Sequence, residues 1–421
     1  MFKRDAFKLC LALAACQLPA GASAAVVAQW VELGAGATAE IRAVTTDATC
    51  PKAKIDGKSA PMTVRAAAVA SKLGAENTSF PTVCSLPLPA GTKKASIGGK
   101  ALPLPVADPK YILVLGDTGC RIKAGKKPQD CNKPKKWPFA ALAAAAANLK
   151  PDLVLHVGDY VYREAPCPDP ARCGGSPWGD NWDTWSVDFF APAAPLLGAA
   201  PWINVRGNHE NCAREGSGYF RLLAAAAYGA GGCPPHLPLY AVTAGSQTVA
   251  VMDTAIGDDS PADPAVVNLF QKDYSELKAI GQPLWLATHR PAWGVVSATE
   301  GGSLNLVEAA GDLTILGPVS LFLAGHIHAF EALNYDAKVA PQIVAGHGGD
   351  KLDDTVPLKL DGLKVGTTSM TVQSGLSVAG FGFLTMKRKG DVWSIQLYDS
   401  AGTKGMKCSF ESGHLTCPAP K

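Results

Sequence analysis

The sequence predicts an α/β fold that is preceded by a small all-β domain. From Tyr111 onward, apolar runs of strand length alternate with alanine-rich stretches such as PFAALAAAAANLK (138–150) and FRLLAAAA (220–227). This alternation is typical of α/β proteins with a largely parallel sheet. Upstream, short alternating segments are separated by Gly, Pro and Asp and have no helical period. They indicate a β-domain, which we interpret as a sandwich.

These patterns divide the 421 residues into four parts. In order, they are an export signal (1–24), the N-terminal β-domain (25–106), the α/β domain (107–400) and a polar C-terminal tail (401–421). The Pro-rich segment LPLPVADP forms a stiff linker between the two domains. Two alternating segments around KGD predict a hairpin over 380–399.

The N-terminus predicts export from the cell. The parts of a signal peptide follow one another: a basic start at Lys3, Arg4 and Lys8, an apolar core at 9–15 and a small-residue site, ASA, at 22–24. LAAC at 13–16 also resembles a bacterial lipoprotein box, so a second interpretation leaves Cys16 lipidated. We expect a periplasmic or secreted protein, with a membrane-tethered lipoprotein as the alternative. No other segment is long and apolar enough to predict a membrane span.

The net charge of the chain bears on its partners, and its cysteine content agrees with export. The formal net charge is +3, and removal of residues 1–24 leaves about +1, which argues against a general nucleic-acid binder. Ten of the twelve cysteines follow residue 24, and an even number in an exported chain predicts disulfides. Thiolate metal ligation is the alternative, but the chain has no CxxC spacing. We expect neighbours to pair, as Cys50–Cys84, Cys120–Cys131, Cys167–Cys173, Cys212–Cys233 and Cys408–Cys417.

Five apolar runs end in polar motifs. They are YILVL–GDTG (111–119), LVLHV–GDYVY (153–162), WINVR–GNHE (202–210), LWLAT–HRP (284–291) and LFLA–GHIH (321–328). In open α/β sheets the loops at the carboxyl ends of the strands converge on one crevice, so we expect the motifs to meet there. Glycine before four of the motifs lets the chain turn sharply.

The side chains that these motifs supply suggest a metal site. They are two Asp, one Asn, one Tyr and several His, with no Cys among them. Such hard and borderline ligands suit Fe, Zn or Mn. Carboxylates gathered in one crevice repel one another, and bound cations remove that cost.

The series GDTG, GDYVY, GNHE, (LAT)H and GHIH resembles the calcineurin-like metallophosphoesterases over roughly residues 111–390. Within them it resembles the purple acid phosphatase-like branch. Many members carry DxH in the first motif, whereas here Gly119 takes the third place and Tyr162 stands in the second motif. Purple acid phosphatases show that combination, and their N-terminal β-sandwich is also similar. The resemblance implies a layered αββα sandwich for the α/β domain.

The resemblance implies two metal ions and a role for each matching residue. Asp117, Tyr162 and His328 would hold the first ion, implied to be Fe(III), and Asn208, His289 and His326 would hold the second, which is Fe, Zn or Mn. Asp159 would bridge the two ions, and His209 would bind the substrate phosphate or protonate the leaving oxygen. A bridging carboxylate can fix two ions about 3.5–4 Å apart, which clamps the attacking and leaving oxygens. A phenolate is a hard anionic donor that favours a trivalent ion.

These roles imply an exported phosphoesterase that cleaves small-molecule phosphate monoesters with a metal-activated hydroxide. A phosphodiesterase or nucleotide hydrolase on the same site is one alternative. A non-catalytic exported binding protein with a vestigial metal site is another.

Other residues near the motifs have two interpretations each. Purple acid phosphatases commonly carry further histidines after the fourth motif, and this chain has none at 290–303. Arg290 is our candidate for the missing phosphate contact, with an ion pair as the alternative. Glu210 either orients His209 or starts a loop, and His347 either lines the crevice or is structural. The basic loop at 121–136 either attracts anionic substrates or is simply solvated.

Overall fold

A computed structural model describes residues 25–70, 78–229, 231–281, 283–297, 301–353, 355–366 and 370–418. The predicted signal peptide and Cys16 lie outside these ranges, so the predictions made for them stay predictions. No helix within the described ranges has the length and apolar character that a membrane span requires.

Strands account for most of the regular structure. In chain order they are β1 Val26–Leu33, β2 Ala39–Thr45, β3 Lys52–Ile55, β4 Lys58–Pro61, β5 Thr63–Ala66, β6 Thr82–Pro87, β7 Ala95–Ile97, β8 Lys100–Ala101, β9 Tyr111–Leu115, β10 Leu153–His156, β11 Trp202–Asn204, β12 Tyr240–Ala244, β13 Gln247–Val251, β14 Leu284–Ala287, β15 Val319–Ala324, β16 Phe330–Tyr335, β17 Gln342–Ala345, β18 Lys364–Val365, β19 Met370–Val378, β20 Gly382–Lys389, β21 Val392–Asp399, β22 Lys404–Glu411 and β23 His414–Thr416. The helices are α1 Phe139–Asn148, α2 Pro170–Cys173, α3 Trp182–Trp185, α4 Ala191–Leu197, α5 Gly216–Leu222, α6 Pro264–Ile280 and α7 Leu304–Ala310, with a π-helical turn at Ser186–Phe190 and a 3₁₀ turn at Thr314–Leu316.

Two large sheets form the centre of the molecule. One has eleven strands in the order β23-β22-β21-β20-β9-β10-β11-β1-β2-β6-β5, and the other has eight in the order β12-β13-β14-β15-β17-β16-β19-β18. The neighbours β9, β10, β11 and β1 are parallel, and so are β13, β14, β15 and β17. Antiparallel strands flank both parallel groups, including the predicted hairpin of β20 and β21.

Side chains alternate between the two faces of each sheet, and this alternation builds the layers. Leu155 of β10 lies in the apolar core between the sheets. Its neighbour Val154 faces outward and packs with Phe139 of α1. On the other sheet Leu286 faces outward and packs with Phe270 of α6. Helices therefore cover both outer faces, and the layered αββα architecture is confirmed.

The N-terminal strands combine with the central sheet. β1 pairs in parallel with β11, and β2, β6 and β5 extend the eleven-stranded sheet beyond it. The small four-stranded sheet β4-β3-β7-β8 packs on this extension through Val31, Ile41, Ala53 and Ile97. The result is a β-sandwich at the N-terminus, as the sequence predicted. The division into four parts stays a prediction, since one sheet runs across the expected boundaries and β22 and β23 of the tail form its edge.

One predicted helix is shorter than expected. The alanine-rich stretch at 220–227 predicted a helix, but α5 ends at Leu222. Arg42 donates to the carbonyl oxygens of Leu222 and Ala224, each at 2.8 Å, and Arg65 also donates to Ala224 at 2.8 Å. These distant arginines replace the intrahelical donors, so the prediction was wrong over 223–227.

The predicted disulfide connectivity is confirmed. The structure pairs Cys50–Cys84, Cys120–Cys131, Cys167–Cys173, Cys212–Cys233 and Cys408–Cys417. These bonds use all ten cysteines that follow residue 24, so thiolate metal ligation does not occur in this structure. The disulfides of Cys120 and Cys173 share one small apolar cluster at the base of the basic loop.

Leu155→Ala is expected to lower the free energy of unfolding by about 2–5 kcal/mol, because it leaves a cavity between the two sheets. Urea unfolding with the disulfides intact measures this change. Leu358→Ala serves as the control, since Leu358 is 54% exposed, and we expect it to change stability by less than about 0.5 kcal/mol. Equal losses for the two variants would contradict the placement of Leu155 in the core.

Candidate metal centre

The five predicted motifs meet at one end of the interface between the two large sheets. Three of them follow β9, β10 and β11 of the eleven-stranded sheet, and two follow β14 and β15 of the other. The sequence predicted a common crevice, and the structure adds that both sheets contribute to it. Asp117, Asp159 and His326 have positive φ values of 56°, 58° and 70°. This backbone conformation costs about 1–3 kcal/mol for each residue. It persists only where the surrounding structure holds the residue in it.

Glycines before the motifs allow the side chains to approach closely. Gly158 has φ +97°, and a Cβ atom there would collide with the ring of His289. A Cβ on Gly207 would collide with the carboxylate of Asp159. These glycines are therefore required by close packing of the site as well as by the turns.

The first group of donors surrounds the hydroxyl of Tyr162. This hydroxyl lies 2.9 Å from Asp117 Oδ1, 2.7 Å from Asp159 Oδ2 and 3.0 Å from His328 Nε2. His328 Nε2 is also 3.3 Å from Asp117 Oδ1. The three side chains predicted for the first ion are thus in contact with one another, the predicted bridge Asp159 contacts Tyr162, and all four are buried.

The second group surrounds the side-chain oxygen of Asn208. Asn208 Oδ1 lies 2.9 Å from His289 Nε2 and 2.8 Å from His326 Nδ1. His289 Nε2 is 3.1 Å from Asp159 Oδ2. One donor atom each from Asp159, His289 and His326 lies within 4.8 Å of the others, which is a spacing that can hold a metal ion.

Asp159 belongs to both groups. The same oxygen, Oδ2, contacts Tyr162 in the first group and His289 in the second. Its other oxygen accepts a hydrogen bond of 2.9 Å from the backbone N–H of His209. The carboxylate is therefore fixed between two sets of donors, which is the placement that a bridging ligand needs.

The electrostatics of the two groups favour added positive charge. Burial disfavours charged imidazoles, but the neighbouring carboxylates outweigh burial and raise the pKa of both His289 and His328 to about 9. Burial opposes ionisation of Asp159, yet the adjacent His289 and His209 hold its pKa well below the usual range. For Tyr162, burial together with Asp117 and Asp159 holds the pKa well above the usual range. A cation is therefore needed before the phenol can ionise.

The sequence matches the family model described as calcineurin-like phosphoesterase over residues 110–330, which is more than half of the chain. The chain belongs to the calcineurin-like phosphoesterase family. Members of this family depend on two metal ions, and the two groups of oxygen and nitrogen donors fit that requirement. The individual ligand roles and the purple acid phosphatase-like branch stay predictions. No curated protein matches the chain at significant similarity.

The chain is similar to several solved structures at low sequence identity, and its fold is shared with a structure of PhoD. A structure of PhoD has a TM-score of 0.53 at 10% identity, and the match covers 94% of this chain and 92% of PhoD. GAP50, the anchor in the inner membrane complex of Plasmodium, has a TM-score of 0.40 at 14% identity, covering 74% of this chain and 89% of its own. A dimetal phosphatase from Danio rerio has a TM-score of 0.40 at 11% identity, and the match covers 72% of this chain and 99% of the phosphatase.

Glu210 holds two of the motifs together. Its buried carboxylate accepts hydrogen bonds from the backbone N–H groups of Asp159, Tyr160, Val161 and Gly207. None of these hydrogen bonds goes to the ring of His209. The interpretation that Glu210 orients His209 is therefore wrong. The carboxylate instead fixes the loop that carries Asp159.

The partner of His209 is Glu164, which the sequence interpretation missed. His209 Nδ1 lies 2.7 Å from Glu164 Oε1, and Nε2 faces Asp159 Oδ2 at 3.9 Å. The imidazole packs against the ring of Tyr162 with centroids 4.0 Å apart. Its side chain is 12% exposed, so His209 lies between the candidate centre and solvent. Glu164 follows the second motif by two residues, which is the only signal that the sequence offered.

Asp259 contacts His326, and no pattern in the sequence had pointed to this residue. His326 Nδ1 faces Asn208, and His326 Nε2 lies 2.8 Å from Asp259 Oδ2. Arg290 contacts the other oxygen of Asp259 and lies 3.1 Å from His326 Nε2. Burial would raise the pKa of Asp259, but His326 and Arg290 outweigh it and lower this pKa. Arg290 is thus engaged with protein groups, and its contact with substrate stays a prediction.

Asp350 and Arg121 support His328 in the same way. His328 Nδ1 is 2.9 Å from the backbone oxygen of Lys351 and 3.4 Å from Asp350 Oδ2. Arg121 forms an ion pair with Asp350 and lies 2.9 Å from His328 Nδ1. Asp350 ends the GHGGD segment, which follows β17 and contains the His347 that the sequence analysis singled out. His347 of that segment is buried, and its ring packs against Phe330.

Asp259→Asn is expected to weaken binding of the second metal ion by about 10–100-fold, because loss of a carboxylate partner leaves the His326 ring poorly oriented. Competition with a chelator, followed by metal analysis, measures the affinity. Asp258→Asn is the matched control, since Asp258 is the adjacent residue and is exposed. Unchanged affinity in Asp259→Asn would show that this carboxylate does not support a metal ligand.

Proposed function

We propose that the protein is an exported metal-dependent phosphoesterase that hydrolyses phosphate monoesters. The observation that carries this proposal is the position of Asp159, whose single oxygen Oδ2 contacts both groups of donors. A shared carboxylate between two donor sets is how two-metal hydrolases hold their ions close together. The family membership supports the same reaction class.

The two donor groups suggest which ion each would hold. Asp117, Tyr162 and His328 would hold the first ion with Asp159 as the bridge, and a phenolate ligand among them favours Fe(III). Asn208, His289 and His326 are neutral donors, and a divalent Fe, Zn or Mn ion suits that set. When bound, the two ions lower the pKa of water and neutralise the charge of the phosphate.

Residues of the chain would position the substrate and move the proton. His209 Nε2 faces the bridging Asp159, and the side chain is partly exposed, so it can reach a phosphate ester at the centre. It would donate a proton to the leaving oxygen, and Glu164 Oε1 lies 2.7 Å from the opposite ring nitrogen. Arg121 is 29% exposed beside His328. Arg121 is paired with Asp350, but the basic loop that it begins carries further cations, whose charge favours the dianion of a monoester over the monoanion of a diester.

Export is supported by the covalent structure. Five disulfides close loops throughout the described residues, and structural disulfides persist in oxidising compartments. The predicted signal peptide at 1–24 agrees with this location.

The metal-loaded protein is expected to hydrolyse para-nitrophenyl phosphate with a higher kcat/KM than bis(para-nitrophenyl) phosphate. Removal of metal by a chelator should abolish turnover, and readdition should restore it. Asp159→Asn should lower kcat/KM by more than the 10–100-fold that loss of an outer partner typically costs. Release of nitrophenolate measures all of these rates.

Two results would overturn parts of this proposal. A clear preference for the bis-ester would replace the monoesterase with a phosphodiesterase. Full metal occupancy without turnover of either ester would favour a non-catalytic binding protein.

Tyr162→Phe is expected to abolish visible charge-transfer absorption of the native protein, because it removes the phenolate oxygen from the first ion. Tyr160→Phe is the matched control in the same motif, since the hydroxyl of Tyr160 contacts Asn204 and Val205 instead. A visible spectrum of each variant, together with its iron content, makes the comparison. Colour retained in Tyr162→Phe would remove this tyrosine from the ligand set.

A further inference from the structure

A second cluster of donors lies on the far side of His209 from the candidate centre. Glu164, His209 and Glu215 offer one ligand atom each, and these atoms all lie within 4.8 Å of one another. Within this group, Glu164 Oε1 is 2.7 Å from His209 Nδ1. We propose that this cluster is a third cation site, for a divalent ion that accepts both carboxylate and imidazole ligands, such as Mn²⁺ or Zn²⁺. The binuclear centre uses none of these three atoms, so the site is additional to it.

Glu215 provides the observation that points to a ligand. This residue is 1% exposed, and its Oε2 atom has no hydrogen-bond partner among the described residues. The missing partner costs free energy in either protonation state. An ionised carboxylate needs a hydrogen-bond donor, and the hydroxyl of a protonated carboxyl group needs an acceptor. A buried polar atom without a hydrogen-bond partner from the protein indicates that an ion or a water molecule binds it.

The cavity beside Glu215 has room for such an ion. It has a volume of about 400 Å³, and its lining includes Glu164, Glu215, Asp180 and Trp178. That volume is several times what one water molecule needs, so an ion could keep part of its hydration shell. The cavity also gives the ion a path from solvent to two of the three donors, Glu164 and Glu215.

The charges around the cavity are unbalanced. Three carboxylates line it, and Arg214 is the one cation in the described lining. Arg214 Nη1 lies 3.4 Å from Glu164 Oε1, with its side chain 30% exposed, so solvent screens it. Asp180 is already used, because it accepts hydrogen bonds from Gly218 and from the indole of Trp185. Glu164 and Glu215 are left facing each other, and a cation between them removes their repulsion.

The site would also determine which nitrogen of His209 carries the proton. A cation on Nδ1 leaves the proton on Nε2, and Nε2 is the atom that faces Asp159. This consequence rests on the proposed function, in which Nε2 donates to the leaving oxygen. The existence of the site does not rest on it, because binding can be measured without turnover.

Mn²⁺ titration of the metal-loaded full protein tests the site. Metal analysis first establishes that two ions are bound, and solution electron paramagnetic resonance then counts free Mn²⁺ during the titration. We expect one further equivalent to bind without displacing the first two. Glu215→Gln should keep two ions and lose the further one, whereas Glu411→Gln, which changes an exposed glutamate, should bind all three.

A crystal of the Mn²⁺-loaded protein gives the direct check. An anomalous difference peak between Glu164 and Glu215 is the expected result. Failure of the wild-type protein to bind a further equivalent would overturn the proposal, and water alone would then satisfy Glu215. A further equivalent retained in Glu215→Gln would overturn it as well, because the ion would then bind elsewhere. Neither result would affect the phosphoesterase assay, so the two proposals fail independently.

Discussion

The concentration of buried carboxylates where the two sheets meet is the constraint on which the site depends. Asp117 and Asp159 are almost fully buried, and their charges would repel each other in a medium of low polarity. The histidines that face them respond by becoming easier to protonate. Protons and metal ions thus compete for the same positions, and the folded chain stabilises whichever positive charge is available. A fold that tolerates such a site must hold its ligands rigidly in advance.

That rigidity comes from backbone groups as much as from side chains. Asp117 and Asp159 occupy a conformation that residues with side chains adopt rarely. The loop of Asp159 is held because Glu210 accepts hydrogen bonds from consecutive N–H groups of the second motif. His326 is held because its own N–H donates to the carboxylate of Asp117. Asp159 and His326 therefore each depend on another motif for their conformation, which ties the motifs to one another.

Much of this arrangement could be predicted from the sequence, because strand ends and loop closure are local properties. The apolar runs located Asp117 and Asp159, and neighbouring cysteines paired because short loops close at the lowest entropic cost. Asp259 and Glu164 could not be found in this way, since their partners are defined only when distant loops meet. The end of α5 was missed for the same reason: Arg42 lies 180 residues away from Leu222, whose carbonyl it binds.

The long-range contacts of Arg42 and Arg65 make the end of α5 depend on the N-terminal strands. Helix α5 begins beside the third motif, where the N–H of Glu215 donates to the carbonyl oxygen of His209, and its last carbonyls are bound by arginines of the N-terminal strands. An ancestor that exchanged this N-terminal sandwich for an unrelated one would have left those carbonyls without donors. Exchange of the N-terminal sandwich alone would therefore leave the end of α5 less firmly held, and with it the helix that begins beside the third motif.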